Sequence, residues 1–225
     1  IMAERRVDVA PTRFGEETLE TNKVLKNTYM LLGLTLAFSA VTAGVSMALN
    51  LSPMAGLGFT LVGFVLLFVV NRMADSAKGL PAIFAFAGAM GAGLGPMLNH
   101  YMSMPGGPSL VMQSLGGTAL IFFALSAYAL QSKRDFSFMH GFLFAGLMVT
   151  IVAMVANIFL QIPLLSVTIS AVVVMIMSGL ILFDTSRIIH GGETNYIRAT
   201  VGLYLNIYNI FVHLLSLLGV FGGDD

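Results

Sequence analysis

The sequence predicts an all-α membrane protein of seven transmembrane helices, and three observations carry that prediction. Hydrophobic residues make up 57% of the chain and charged residues only 10%, with a mean hydropathy of +0.89, a balance foreign to a soluble chain of 225 residues. Apolar runs of bilayer-spanning length, about 20 residues, recur along almost its entire length. All eleven Lys and Arg residues fall before the first run or in the second, fourth and sixth connections. The first, third and fifth connections hold none. Short loops rich in Lys and Arg stay cytoplasmic, so the pattern puts the amino terminus inside and, after an odd number of crossings, the carboxyl terminus outside.

Each span is expected to be helical, because in hydrocarbon every backbone N–H and C=O must be paired within its own segment and the alternation of barrel strands is absent. The first span, approximately 28–49, follows a polar segment carrying Arg5, Arg6, Arg13, Lys23 and Lys26. Its length makes it a signal anchor rather than a cleavable signal. Residues 1–26 read as a mobile, charge-balanced cytoplasmic tail, and 27–225 as one compact bundle, since the connections are too short to hold another domain. The second span, approximately 54–71, opens after Pro53 and ends at Arg72. The third, approximately 81–98, opens at Pro81 and places Ala85, Ala89 and Gly93 on one row and Gly88, Ala92 and Pro96 on another. Small residues four apart let helix backbones approach closely, with a hinge or ligand passage at Gly91 to Pro96 as the alternative reading. The fourth span, approximately 109–131, follows Pro108 and stops before Lys133 and Arg134; the fifth covers approximately 138–160. The sixth, approximately 164–188, starts after Pro163. Proline at these entrances sacrifices no hydrogen bond, because first-turn N–H groups lack helical partners anyway. Gly191 and Gly192 should stop the sixth helix, and Thr194 or Asn195 should cap the seventh, approximately 197–220.

Composition excludes several functions. A net charge of zero and a pI near 7.1 leave no basic face for nucleic acid. Without cysteine there is no disulfide, thiolate metal site or cysteine nucleophile. Ser178-Gly179 and His213 supply the residue types of a serine protease, but the glycine two places before the serine is missing. A proton-sharing carboxylate pair would need a second acid beside Asp184 at depth. His100, His140 and His190 lie in or beside three different connections, without metal-site spacing. No catalytic residue, metal or cofactor is expected, and the chain does not read as an enzyme. A small-solute carrier is the remaining class, and the absence of paired interrupted helices in matching halves argues against it.

Ionisable groups within spans are the default functional residues. Asp184 is the single carboxylate inside an apolar run, roughly 4.5 Å deeper than Arg187 by helical rise. In the seventh span Asn206, Asn209 and His213 recur at steps of three and four, with Gly202 one turn earlier, and so share a face. Asn206 lies about 12 Å below Arg198, in the same half of the bilayer as Asp184. Arg72 is a candidate counter-ion for Asp184. Together Asp184, Asn206, Arg72 and His213 form the candidate ion- and proton-sensing set, and Asn209 a helix-packing polar group.

Several stretches resemble the Bax inhibitor-1 family, and in particular its bacterial branch that modulates the membrane-anchored, ATP-dependent protease FtsH. They are Ser178-Gly179-Leu180-Ile181-Leu182-Phe183-Asp184-Thr185, His190-Gly191-Gly192-Glu193-Thr194-Asn195-Tyr196-Ile197-Arg198-Ala199 and Leu203-Tyr204-Leu205-Asn206-Ile207-Tyr208-Asn209. Shorter matches lie at Lys23 to Tyr29, Gly116 to Leu120 and Val155 to Gln161, so that nearly the whole chain beyond the first twenty residues is covered. The resemblance implies a central seventh helix wrapped by the other six, an inner-membrane location, and a partner in the FtsH protease complex. It implies that the chain restrains degradation of other membrane proteins by acting as a slow substrate entered from its cytoplasmic tail. It also implies an alternative, a pH-sensitive calcium leak gated by two aspartates. Asp184 matches the first of them, but the second position holds Asn206. An amide keeps a hydrogen bond and loses the like-charge coupling of two carboxylates, and one carboxylate with carbonyls makes at most a weak calcium interaction.

Overall fold

A computed structural model describes residues 13–222, with side chains from Glu20 onward. Among the described residues there are seven α-helices: α1 (Arg13–Ala48), α2 (Pro53–Met73), α3 (Gly79–Met102), α4 (Gly107–Ser132), α5 (His140–Leu160), α6 (Pro163–Ile189) and α7 (Tyr196–Phe221), with one 3-10 turn, Ser137–Met139, leading into α5. All seven are long and apolar enough to cross a membrane. Because successive helices run in opposite directions, every described Lys and Arg gathers at one end of the bundle, referred to below as the basic end.

The helix ends follow the local chemistry read from sequence. Pro53 and Pro163 are the first residues of α2 and α6, and the Ser52 side chain accepts from the Ala55 N–H. Gly191 stops α6 in the left-handed region at φ 71°. Asn195, not Thr194, caps α7, its side-chain oxygen accepting from the N–H groups of Ile197 and Arg198. The one large boundary difference is at α1, which begins at Arg13. The segment from 13 to 26, expected to be a mobile handle, is therefore helical, while residues 1–12 lie outside the described residues. Val24 and Leu25 pack against the main core, so the helix continues upstream of the apolar run.

The interior is apolar but threaded with small hydroxyl side chains. Thr28, Thr35, Ser39 and Ser46 on α1 and Ser114, Thr118 and Ser126 on α4 are buried, while Phe68, Phe159 and Leu164 stand outward. Lipid tails are as apolar as leucine, so helices associate through close packing and hydrogen bonds rather than by hiding apolar surface. The α1–α3 seam shows both. Ser46 Oγ donates to the Ala92 carbonyl at 2.7 Å. A Cβ on Gly91 would meet the Ser39 carbonyl oxygen at 2.2 Å, and one on Gly95 would meet Ser46 Oγ at 2.0 Å. On the other side of α3, Pro96 packs its ring against Gly56 of α2. The stretch from Gly91 to Pro96 is thus closed by tight packing against two neighbours.

α7 packs against α1, α2, α3, α4 and α6, whereas α5 meets only α6 and the 3-10 turn. The wrapping of the seventh helix by all six others, expected from the resemblance, is therefore corrected to five, with α5 standing behind α6.

Candidate functional site

The candidate site lies where the last turns of α6 pass the first half of α7, near the basic end. The two helices are joined by a tight connection, Gly191 to Asn195, so they run antiparallel and bring the end of one beside the start of the other. Asn206, 4% exposed, donates from Nδ2 to Asp184 Oδ2 at 2.7 Å. One turn earlier on α7, Gly202 leaves room for the acid: a Cβ there would stand 3.1 Å from Asp184 Oδ2. Two features of α7 thus frame a single carboxylate, one by donating to it and one by making way for it.

The buried polar network continues beyond this pair. Thr185, fully buried, lies within 3.5 Å of the Tyr29 hydroxyl. Tyr204 hydrogen-bonds Ser39 Oγ at 2.7 Å and meets the Phe86 ring edge-on at 5.1 Å, which ties α7 to α1 and α3 together. Thr200 Oγ1 donates to the Tyr196 carbonyl at 2.7 Å and lies 3.2 Å from that of Thr28. These bonds have no competitor in hydrocarbon, where an unpaired polar group costs several kcal/mol.

The residues singled out from sequence have separate fates. Asp184 and Asn206 come together. His213 hydrogen-bonds Ser170 Oγ at 3.1 Å, nearer the far end of the α6–α7 pair. Asn209 donates to the Leu205 carbonyl of its own helix at 2.8 Å, and so does not join the Asp184 site. Arg72 is exposed at the end of α2 and makes no salt bridge to Asp184, so the counter-ion expectation is corrected to an amide donor. The nearer guanidinium, Arg187, is turned to Glu193 at 3.5 Å and to the Gly192 carbonyl at 3.3 Å, and lies over the Phe183 ring.

Sequence reading passed over Ser39, Thr200 and the role of Tyr204, and gave Asn195 only as a helix cap. A signal for the first existed: Thr28, Thr35, Ser39 and Ser46 recur on one face of a helix that is otherwise apolar. Asn195, besides capping α7, donates to the Ala74 carbonyl at 3.0 Å and to Asp75 Oδ1 at 2.8 Å, and Asp75 also pairs with Arg198. Two connections at the basic end are thereby joined. Beside them opens a cleft of about 1120 Å³, lined by Lys23, Asn27, Lys133, His190, Glu193 and Tyr196 among others.

This chemistry is that of a closed contact between one acid and one amide donor. Comparison with known proteins adds a family and relatives. A family model described as "Inhibitor of apoptosis-promoting Bax1" matches residues 21–223. The chain is 56% identical over 207 residues, 92% of its length and 94% of the relative's, to an Escherichia coli K12 protein named "Modulator of FtsH protease YccA". The same identity and coverage hold for an Escherichia coli O6:H1 protein named "Inner membrane protein YccA". A Vibrio cholerae protein named only as an uncharacterized membrane protein is 52% identical over 211 residues, 93% of this chain and 95% of that one.

Proposed function

The chain belongs to the Bax inhibitor-1 family, and from that premise we propose that it is an inner-membrane modulator of the ATP-dependent membrane protease FtsH, itself without enzymatic activity. The observation that carries this reading is the 56% identity, over nearly the full length of both chains, to a protein named for that role. The amino terminus lies in the cytoplasm and the carboxyl terminus in the periplasm, a reading that the distribution of Lys and Arg supports. The protease complex binds the chain, draws on its amino-terminal tail, and processes it slowly, so that other membrane substrates wait.

The packing of α1 supports slow processing. An ATPase pulling from the amino terminus loads α1 first, and α1 is held by Ser46 on α3, by Ser39 on Tyr204, and by close approach to Gly91 and Gly95. Extraction must break all of these together.

Raising the cellular level of the protein is expected to lengthen the half-life of an FtsH membrane substrate several-fold, and the chain should co-purify with the protease. Deleting residues 2–20 should prolong the chain's own lifetime. Unchanged substrate turnover with no co-purification would sink the proposal, and unchanged self-turnover would remove the tail from it.

The calcium-leak alternative rests on Asp184. With Asn206 donating to that carboxylate, proteoliposomes holding the purified chain should show no acid-dependent calcium release. Release abolished by Asp184→Ala would reverse the ranking.

A further inference from the structure

A second polar cluster at the basic end plays no part in the reading above. His190 closes α6 and lies against the connection between α4 and the 3-10 turn. Its Nδ1 is 2.9 Å from the Ser186 carbonyl oxygen and its Nε2 is 3.2 Å from the Lys133 carbonyl oxygen. Ser186 Oγ accepts from the Phe136 N–H at 3.0 Å, donates to the Arg134 carbonyl at 3.2 Å, and stands 3.3 Å from His190 Nδ1. Two side chains thus hold the backbone of residues 133–136 to the end of α6.

Carbonyl oxygens only accept, so both ring contacts are satisfied only when both nitrogens of His190 carry protons. Either neutral tautomer forfeits a tether. With the proton on Nδ1, the Nε2 lone pair faces the Lys133 oxygen and that bond is lost. With the proton on Nε2, the bare Nδ1 draws the Ser186 hydroxyl proton, which must then leave the Arg134 carbonyl.

We propose that His190 is a proton-operated latch, clamping the 133–136 connection onto α6 and so setting the shape of the cleft it borders. Charged groups of both signs surround the ring. Asp135, on the clamped connection, accepts from the Ser137 N–H at 2.8 Å and feels the His190 charge only weakly. The Ser137 hydroxyl, and then its N–H, hold the Asp135 carboxyl below its ordinary value, so it stays anionic throughout the range in which imidazoles titrate. The carboxyl end of α6 adds the negative end of a helix dipole. Against these stand Lys133 and Arg134 on the connection, Arg187 on α6 and Lys23 on α1. Arg187 is taken up by Glu193, and Glu20 lines the cleft beside Lys23. The latch is closed while both ring nitrogens carry protons and slackens when either proton is lost.

Backbone hydrogen exchange of the full chain in lipid nanodiscs tests this, followed over residues 133–138 at about pH 5.5 and 8.5 and corrected for intrinsic rates. Protection should fall about tenfold at the higher pH, the loss expected for one charge-assisted hydrogen bond. His190→Gln should abolish that pH response. Equal protection at both pH values, or the full response persisting in His190→Gln, overturns the latch. Should that variant fail to fold, the ¹⁵N resonances of the His190 ring in the wild-type chain decide. Loss of one ring proton coinciding with loss of protection supports the latch, and a ring that stays neutral across the range overturns it.

Discussion

Gly91→Ala is expected to lower the thermal midpoint of the full-length chain sharply and to speed its turnover in cells, whereas Gly44→Ala should do neither. The added methyl at Gly91 would sit 2.2 Å from the Ser39 carbonyl oxygen, 2.3 Å from Thr42 Oγ1 and 2.7 Å from Ser39 Oγ. The first of these is backbone, so relief requires α1 as a whole to move away from α3. That movement stretches the Ser39–Tyr204 bond and the Ser46 bond to the Ala92 carbonyl. Overpacking a filled interior costs about 1–3 kcal/mol, and a clash with backbone belongs at or beyond the top of that range. At Gly44, a Cβ has nothing within 4 Å, so alanine there should stabilise the helix by about 0.5–1 kcal/mol. Opposite signs at a glycine in the α1–α3 seam and at an exposed one on α1, read by thermal unfolding in detergent and by pulse-chase turnover, test the packing and its bearing on extraction. A neutral Gly91→Ala would disprove the close contact.

Asn206→Asp should convert a site held together by an amide donor into one that needs a proton. A second carboxylate would face Asp184 across the 2.7 Å now spanned by an N–H···O bond. Two acids so close persist only while they share one proton; once it leaves, both are negative in a site framed by Gly202 and buried α7. The folded variant then binds more protons than its unfolded chain, so its stability falls as pH rises. Relative to wild type, the variant should lose roughly 2–4 kcal/mol between about pH 5 and 8. Asn206→Leu provides the contrast, removing the donor at every pH for about 1–3 kcal/mol. Denaturant or thermal unfolding at three pH values separates the two. A flat difference between Asn206→Asp and wild type would show that the side chains do not face one another.

Much of this architecture was legible in the residues. Spans could be counted because a helix in hydrocarbon needs its length and apolarity within one continuous segment. Orientation could be expected from Lys and Arg because charge near a span end is a local property. Helix ends at Pro53, Pro163 and Gly191 followed from single-residue backbone limits, and Asp184 stood out as the lone acid in an apolar run. Less legible was the start of α1. Residues 13–26 are polar, and polarity alone does not separate a solvated tail from a helix whose Val24 and Leu25 reach the core.

Choice among partners could not be read along the chain. Arg72, Asn206 and Asn209 all lay within plausible reach of Asp184 by counting residues, yet only Asn206 bonds it. Asn209 turns to its own helix, and Arg72 stays exposed because its position on α2 makes no bridge to the acid. His190 read simply as a residue in a connection, though its ring holds two carbonyls from different segments.

The division has a physical origin. Length, apolarity, charge placement and backbone limits act within one segment, so the sequence by itself determined seven helices, most of their ends and the identity of the buried acid. Helix rotation, crossing and close approach arise between segments, through contacts such as Gly202 against Asp184 and Gly91 against Ser39. The pairing of Asp184 with an amide, the placing of α5 outside the α7 neighbourhood, and the clasp of His190 therefore belong to the tertiary fold alone.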